Sequence, residues 1–268
     1  NTIRYQESFG FANLEKRDAL TNNMVFYGAS LSKSVFGYLV SQLISEGLID
    51  LDRPLQEYLD QPLPDIAFEK EWRGFKNLKG DKRYEKITGR MCLSHTTGFP
   101  NWRWISKEGV FIPEGKIRFL IDPGTRYNYS GEGIHLLQFV VERIIGKGLE
   151  ELAQERIFGP LQMDMTSYIW RDRFEDQYCN GHTSKGAVIK KDTEDEAGAA
   201  GSMETTLVDY TKFVQHILNL SEGPSSITNL LFEPNVLIKS KTQFGIESWQ
   251  DTDDNDSIKL NYGLGWGL

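Results

Sequence analysis

The sequence predicts an α/β (α+β) fold in which both ends of the chain build a sheet around a mostly helical insertion. Strand signals occur at the two ends, in the opening NTIRYQESFGFANLEKRDAL and around the closing NYGLGWGL. Between them, apolar residues recur at helical spacing in several segments. We therefore expect an α/β domain over residues 1–50 and 200–268, incomplete at both ends, and a mostly helical inserted domain over residues 51–199.

The composition is that of a globular protein that binds neither nucleic acid nor the core of a bilayer. The 268 residues, 25% of them charged and 12% aromatic, suffice for a large hydrophobic core. The formal net charge is -8, and Lys and Arg form no stripe that could neutralise a row of phosphates. No apolar run reaches the roughly 20 residues of a bilayer-spanning helix, and the given sequence opens without a signal peptide. We expect no nucleic-acid partner and no membrane span.

Cysteine and histidine are too sparse and too dispersed to indicate a metal centre. The two cysteines, Cys92 and Cys179, lie far apart and in no ligand spacing, so we predict neither a disulfide framework nor a zinc site. The four histidines fall in no metal-binding pattern. The sequence therefore predicts chemistry without a metal or cofactor.

The first helix is predicted within Tyr27–Gly47, where apolar residues recur at helical spacing. Its first turn contains Ser30, Ser32 and Lys33. A lysine among residues that must pack requires an explanation, because lysine is almost never fully buried unless it has a partner.

Ser30 and Lys33 form a Ser-x-x-Lys pattern that has a chemical use. Residues three apart lie on the same helix face, so the hydroxyl and the amine can meet. Burial lowers the pKa of a lysine, which lets the neutral amine remove the serine proton. The same pattern also arises by chance in a chain of this length, so taken alone it leaves a structural interpretation open.

Proline and glycine delimit the elements that follow. Pro54 is placed to start a short helix that ends at Pro62 and Pro64, and the charged residues 66–86 predict a solvated loop. A second helix is predicted over Lys86–Ser94.

The later helices have recognisable start and stop signals. Ser130 is the predicted N-cap of a third helix that stops at Gly146–Gly148, and a fourth short helix fits Leu149–Ile157. After the polar passage Arg171–Glu196, the sequence Thr206-Leu207-Val208-Asp209 has the form of a capping box that opens another helix.

Two further segments contain candidate functional side chains. In PGTRYNYSGEG, Tyr127 and Tyr129 either pack after a tight turn or supply one phenol that exchanges a proton beside Ser30. In LSHTTGFPN, His95 follows an apolar helix, and we expect it to satisfy backbone groups at the helix end.

These segments, in this order and spacing, resemble those of the serine β-lactamase and penicillin-binding-protein superfamily, specifically its class C β-lactamase-like branch. Ser30-Leu31-Ser32-Lys33 matches the Ser-x-x-Lys nucleophile motif. MCLSHTTGFPNW is similar to the branch's L-L-S-H-T-S-G turn, PGTRYNYSGEGIHLL to its P-G-x-x-F-x-Y-S-N-x-G-Y-x-L-L segment, and EAGAAGSMETTLVDYTKFV to its A-G-G-L-x-S-T-A-x-D-L-x-x-F stretch. The resemblance spans nearly the whole chain. It implies a β-lactamase/transpeptidase-like fold, with an antiparallel sheet flanked by helices.

The resemblance also implies roles for three residues. Ser30 would be the acylated nucleophile, Lys33 its base or proton relay, and Tyr129 the second proton relay, by its match to the tyrosine of Tyr-Ser-Asn. The backbone N–H of Ser30 would supply one donor of the oxyanion hole. The implied function is that of a serine hydrolase, whether β-lactamase, D-amino-acid peptidase or esterase. It would form an acyl-enzyme from an ester, a peptide-like amide or a β-lactam.

Two departures from the family pattern bear on this prediction. Gly131 replaces the asparagine after Tyr-Ser, whose side chain contacts the lysine and the substrate amide in the family. The candidate substrate-binding residues are therefore Gly131 with Glu132 and Asn128, either of which could substitute. The third motif, a Lys-Thr-Gly or His-x-Gly strand that supplies the other oxyanion donor, would follow Leu268. We therefore expect residues 1–268 to be part of a longer functional protein.

The change at Gly131 favours an ester or a peptide-like amide over a β-lactam. It also leaves a rival class open, namely a catalytically impaired penicillin-binding or sensor-type protein that acylates at most once, and multiple turnover would separate the two. By resemblance the protein is periplasmic or extracellular and takes a small-molecule or peptide-like substrate. The sequence leaves the oligomeric state open.

Overall fold

The structure, a computed structural model, describes residues 1–193 and 195–268. Six α-helices occur within this described part of the chain: α1 (Ser32–Ser45), α2 (Gly89–Leu93), α3 (Gly131–Ile145), α4 (Leu149–Ala153), α5 (Leu207–Ser221) and α6 (Ser226–Leu231). Short 3-10 helices connect many of these elements. None of the described helices is long and apolar enough to cross a membrane.

The chain divides into two compact units. Unit 1 comprises Asn1–Ser32 and Lys147–Thr228, and unit 2 comprises Lys33–Gly146 and Asn229–Leu268. The predicted division into an α/β domain and an inserted helical domain stays a prediction.

The described strands form four two-stranded sheets, all antiparallel. In unit 1 these are β1 with β2, β3 with β6 and β4 with β5, and in unit 2 β7 with β8. The strands are β1 (Phe11–Asn13), β2 (Asp18–Ala19), β3 (Phe26–Tyr27), β4 (Gly181–His182), β5 (Val188–Ile189), β6 (Glu204–Thr205), β7 (Val236–Leu237) and β8 (Asn261–Tyr262). The expectation that strands occur only near the two ends is wrong, because β4 and β5 lie inside the polar passage. Two residues are too few to show the alternation by which a strand is recognised.

The predicted helix signals in α3 and α5 have the expected geometry. The hydroxyl of Ser130 accepts a hydrogen bond from Gly133 N at 2.9 Å, and Gly146 ends α3 with a φ of 73°. At α5, the hydroxyl of Thr206 accepts from Asp209 N at 3.0 Å. The Asp209 carboxylate accepts from Met165 N at 2.7 Å, so it ties a neighbouring loop of unit 1 to the start of the helix.

The prediction of a solvated loop over residues 66–86 is wrong. Three 3-10 helices occupy most of it, at Glu71–Arg73, Lys76–Leu78 and Lys82–Lys86. Phe75, Leu78 and Tyr84 are buried. Their spacing follows single 3-10 turns rather than a 3.6-residue period, so the burial leaves no helical signature in the sequence.

Close backbone contacts in unit 2 fix the position of α1. A β-carbon on Gly37 would lie 2.6 Å from the Leu264 carbonyl oxygen, and one on Gly265 would lie 2.9 Å from the Lys33 carbonyl oxygen. Gly265 N also donates to the Leu93 carbonyl at the end of α2, at 3.0 Å. These distances leave no space for a β-carbon, so both positions require glycine.

Candidate active site

The turn that presents Ser30 in unit 1 is strained and firmly held. It is a 3-10 helix, Ala29–Leu31, directly after strand β3, and Ala29 has a φ of 44°. Gly28 N donates to the Met203 carbonyl at 2.8 Å, and a β-carbon on Gly28 would lie 2.9 Å from the same oxygen. A left-handed alanine costs roughly 1–3 kcal/mol and persists only where the surrounding structure imposes it, which is a recurrent property of functional turns.

Ser32 has a structural role in this turn. The Ser32 hydroxyl donates to the Ala29 carbonyl at 2.5 Å and accepts from Met203 N at 3.0 Å. The Tyr168 hydroxyl donates to the Ser32 carbonyl at 2.8 Å. Ser32 is fully buried, whereas Ser30 is exposed. Of the two hydroxyls, only that of Ser30 is open to a reagent.

Lys33 is a buried lysine in unit 2. Its residue is 2% exposed, and desolvation lowers the pKa of its amine from 10.5 to about 8. The Lys33 Nζ lies 4.9 Å from the centre of the Tyr129 ring. Burial therefore gives the amine a substantial neutral fraction near physiological pH, which a general base requires.

The His95 ring packs against the ring of Tyr129. Its ring centre lies 4.2 Å from that of Tyr129, and its Nδ1 accepts a hydrogen bond from Ser130 N at 3.1 Å. The Nε2 lies 3.3 Å from the Tyr262 hydroxyl. Burial, and then the charge of Lys33, hold the His95 pKa well below its ordinary value, so the ring is neutral. The His95 ring does bind a backbone group, as predicted, but that group is the N–H of Ser130 at the start of α3 and not one at the end of α2.

Tyr127 belongs to the packing of the same cluster. Its ring centre is 6.0 Å from that of His95 and 5.5 Å from that of Tyr262. Burial raises the pKa of the Tyr127 phenol well above its usual range. These contacts give Tyr127 a packing role, whereas Tyr129 is the tyrosine beside Lys33.

Two segments of unit 2, residues 99–103 and 128–132, are joined residue by residue. Three hydrogen bonds connect them: Asn128 Nδ2 to the Phe99 carbonyl (2.7 Å), Ser130 Oγ to the Pro100 carbonyl (3.0 Å) and Gly131 N to Asn101 Oδ1 (3.0 Å). These hydrogen bonds hold the 99–103 segment in place beside the start of α3.

An ion pair between Arg103 and Glu132 completes this contact. Arg103 Nη2 lies 2.6 Å from Glu132 Oε2, and Arg103 N donates to Oε1 at 3.0 Å. Each side chain is 4% exposed. The Glu132 carboxylate is therefore already paired with Arg103, and one N–H of the Asn128 side chain is already bonded to the Phe99 carbonyl. Their assignment to substrate binding stays a prediction.

The structure brings some of the sequence-predicted residues together. Lys33 and Tyr129 are adjacent in unit 2, which also contains Asn128, Gly131 and Glu132, whereas Ser30 belongs to unit 1 and precedes Lys33 by three residues. Asn101, Arg103 and Tyr262 were not predicted to neighbour these residues. Within the described residues, no group of three or more His, Cys, Asp or Glu side chains could hold a metal ion. Both cysteines are free thiols.

The comparisons with known proteins define the family. The beta-lactamase family model matches residues 1–268, and the chain belongs to this family. It is 23% identical over 283 residues to penicillin-binding protein 4* of Bacillus subtilis (strain 168), covering 99% of this chain and 57% of that protein. It is 22% identical over 257 residues to the teichoic acid D-alanine hydrolase of Staphylococcus aureus, covering 93% of this chain and 57% of that protein.

A solved structure of the same fold is the octameric penicillin-binding protein homologue from Pyrococcus abyssi. Its TM-score is 0.72 at 18% identity, and the match covers 98% of this chain and 58% of that one. The predicted fold class, α/β of the β-lactamase/transpeptidase type, is confirmed. The chain spans less than two thirds of the length of each of these relatives.

Proposed function

We propose that this chain contains the acylation residues of a serine hydrolase that acts through an acyl-enzyme. The proposal depends on the environment of Lys33. Burial lowers the pKa of its amine to about 8, and the amine lies beside Tyr129. Lys33 also follows an exposed serine by three residues. An unreactive packing role would place a charged lysine at the surface. Family membership supports the same assignment.

In the proposed reaction Ser30 Oγ attacks the carbonyl carbon of the substrate. The neutral amine of Lys33 takes the hydroxyl proton, and this proton passes by way of Tyr129 to the leaving group as the bond between the carbonyl carbon and the leaving group breaks. The Ser30 backbone N–H donates to the oxyanion that develops on the substrate oxygen. A water molecule then attacks the acyl carbon, the bond to Ser30 Oγ breaks, and one proton of that water restores the Ser30 hydroxyl as the acid is released.

The substrate we propose is an ester or a peptide-like amide, with a β-lactam less favoured because Gly131 lacks the family's asparagine side chain. The relatives include a teichoic acid D-alanine hydrolase, which favours a substrate of the same general kind. We propose a periplasmic or extracellular location on the same family grounds. The rival function is that of a penicillin-binding protein with impaired turnover. It is retained as the second candidate because penicillin-binding protein 4* is also among the relatives.

Active-site labelling tests the proposal. A fluorophosphonate should phosphonylate Ser30 with loss of fluoride, and mass spectrometry of the corresponding peptide should find no label in a Ser30→Ala variant. Label on buried Ser32 or on Ser130, with Ser30 untouched, would refute the assignment. Turnover of an activated ester beyond one equivalent supports the hydrolase, whereas a single equivalent of product supports the binding protein.

A further inference from the structure

A second buried lysine, Lys191, occurs in unit 1. Its Nζ forms an ion pair with Glu204 Oε1, and the two side chains are only 9% and 7% exposed. Among the described residues, this contact is the only side-chain hydrogen bond of the Glu204 carboxylate, because Oε2 is buried without a partner. The position of this carboxylate therefore depends on Lys191.

Two aromatic rings also lie close to the ammonium group of Lys191. Its Nζ is 5.4 Å from the centre of the Tyr27 ring and 5.5 Å from that of the Trp170 ring. A ring face attracts a cation at such distances. Trp170 is itself held, since its Nε1 donates to Glu175 Oε1 at 2.9 Å. We call Lys191, Glu204, Tyr27 and Trp170 the lysine clamp, and all four belong to unit 1.

The lysine clamp joins strands β3 and β6 through their side chains. Tyr27 on β3 is paired with Glu204 on β6 in an antiparallel register. Side chains of directly opposed residues lie on the same face of a sheet, so one ammonium group can contact both. Lys191 therefore holds β3 against β6 in addition to the backbone hydrogen bonds between these short strands.

The backbone that follows β3 is the strained turn that presents Ser30. Gly28 N donates to the carbonyl of Met203, which immediately precedes β6, at 2.8 Å. The next residue, Ala29, has a φ of 44°. A left-handed alanine persists only where the surrounding structure imposes it. The pairing of β3 with β6 is a constraint of this kind, because it fixes the chain on both sides of the Gly28 hydrogen bond.

We propose that Lys191 is a positioning residue for acylation, which acts through the lysine clamp to hold the Ser30 turn in its strained, reactive conformation. This inference rests on the proposed function and concerns only its nucleophile. A buried ion pair is often no more stabilising than apolar residues of similar volume, so stability alone gives no reason for this pair. Without the clamp the turn relaxes toward ordinary backbone angles, and Ser30 reacts only from the fraction of molecules that keep the strained turn.

The rate of Ser30 labelling measures this effect. Lys191→Met alone leaves a lone buried carboxylate, so the variant to use also contains Glu204→Leu and has no unpaired charge. Its urea midpoint should stay close to that of the wild type. Its phosphonylation by a fluorophosphonate should slow roughly 10-fold, as expected if about one folded molecule in ten keeps the strained turn. The matched control is Lys147→Met with Glu155→Leu, which removes an exposed ion pair of unit 1 and should leave the rate unchanged.

Hydrogen exchange separates a loosened turn from a general loss of stability. Exchange of the Gly28 amide, which is bonded to Met203, should accelerate about 10-fold in the Lys191→Met, Glu204→Leu variant. The Met163 amide is bonded to the Phe158 carbonyl at 2.8 Å in the same unit, and its exchange should change less than about twofold. Equal acceleration of both amides would overturn the inference, because the ion pair would then only stabilise unit 1. A labelling rate within about twofold of the wild type would overturn it as well.

A variant without any change of charge gives a second test. Tyr27 is 59% exposed, so Tyr27→Leu should fold normally while it removes one ring from the lysine clamp. It should slow labelling and accelerate Gly28 exchange, each by roughly threefold, and no change in either would contradict the inference. A wild-type Ser30 that resists the fluorophosphonate would instead refute the hydrolase. Gly28 exchange would then still show whether Lys191 holds the turn.

Discussion

Replacing Lys33 with methionine should slow the acylation of Ser30 sharply and make the protein more stable. Burial lowers the Lys33 pKa from 10.5 to about 8. One pKa unit corresponds to about 1.4 kcal/mol, so holding this amine in the fold costs about 3 kcal/mol at pH 7. The Lys33→Met variant removes that cost and some contacts of the amine, and we expect a gain of about 1–3 kcal/mol. Acylation of Ser30 should fall by roughly 100-fold or more.

The stability difference between Lys33→Met and the wild type should depend on pH. Between pH 8 and 10.5 the unfolded chain binds a proton that folded Lys33 does not, so wild-type stability rises with pH in that window. The advantage of Lys33→Met should therefore be full at pH 7 and nearly absent at pH 10.5. Wild-type acylation should increase about tenfold per pH unit below pH 8 and level off above it.

Urea unfolding followed by tryptophan fluorescence, at pH 7 and at pH 10, measures the stability difference. The control is Lys185→Met, which replaces an exposed lysine and should be neutral at both pH values. A Lys33→Met variant less stable than wild type at pH 7, by more than about 1 kcal/mol, would show that the folded protein holds a charged and compensated lysine. That result would also refute the role of Lys33 as the general base.

Two further substitutions test the surroundings of this lysine. Tyr129→Phe should lower the acylation rate by roughly 100-fold, and Tyr127→Phe should lower it much less, because only Tyr129 lies against Lys33. A larger loss from Tyr127→Phe would assign the proton relay to the other tyrosine. Glu132→Ala should destabilise the protein by roughly 3–5 kcal/mol in urea unfolding, since it leaves the buried guanidinium of Arg103 without a counter-ion. Glu57→Ala, at an exposed pair with Arg53, is its control, and an equal effect of the two would contradict the argument.

Features set by neighbouring residues could be predicted from the sequence. The Ser130 cap of α3 and the Thr206 cap of α5 each join groups three residues apart, so the residue types alone indicate them. The Ser30 turn and the Tyr129 segment were found by motif. Residues 66–86 were mistaken for a solvated loop because single 3-10 turns bury Phe75 without periodicity.

The supporting contacts of the site could not be predicted in this way. Asn101 and Gly131 are 30 residues apart, and the Arg103 to Glu132 contact spans 29. Each joins a polar side chain to a partner that only the folded chain brings near, and one of those partners is the backbone of a glycine. Pairing of this kind depends on the path of the chain and leaves no periodic or local signal.

The contact between Leu264 and helix α1 limits what a mutant library can sample. At Gly37 every other residue would place a β-carbon against the Leu264 carbonyl, so a randomised codon there would yield mostly misfolded clones whatever substrate is screened. Ile258, which is 69% exposed, has no such restriction. Libraries of variants of this chain should therefore hold the Gly37 codon constant and vary exposed positions such as Ile258 instead.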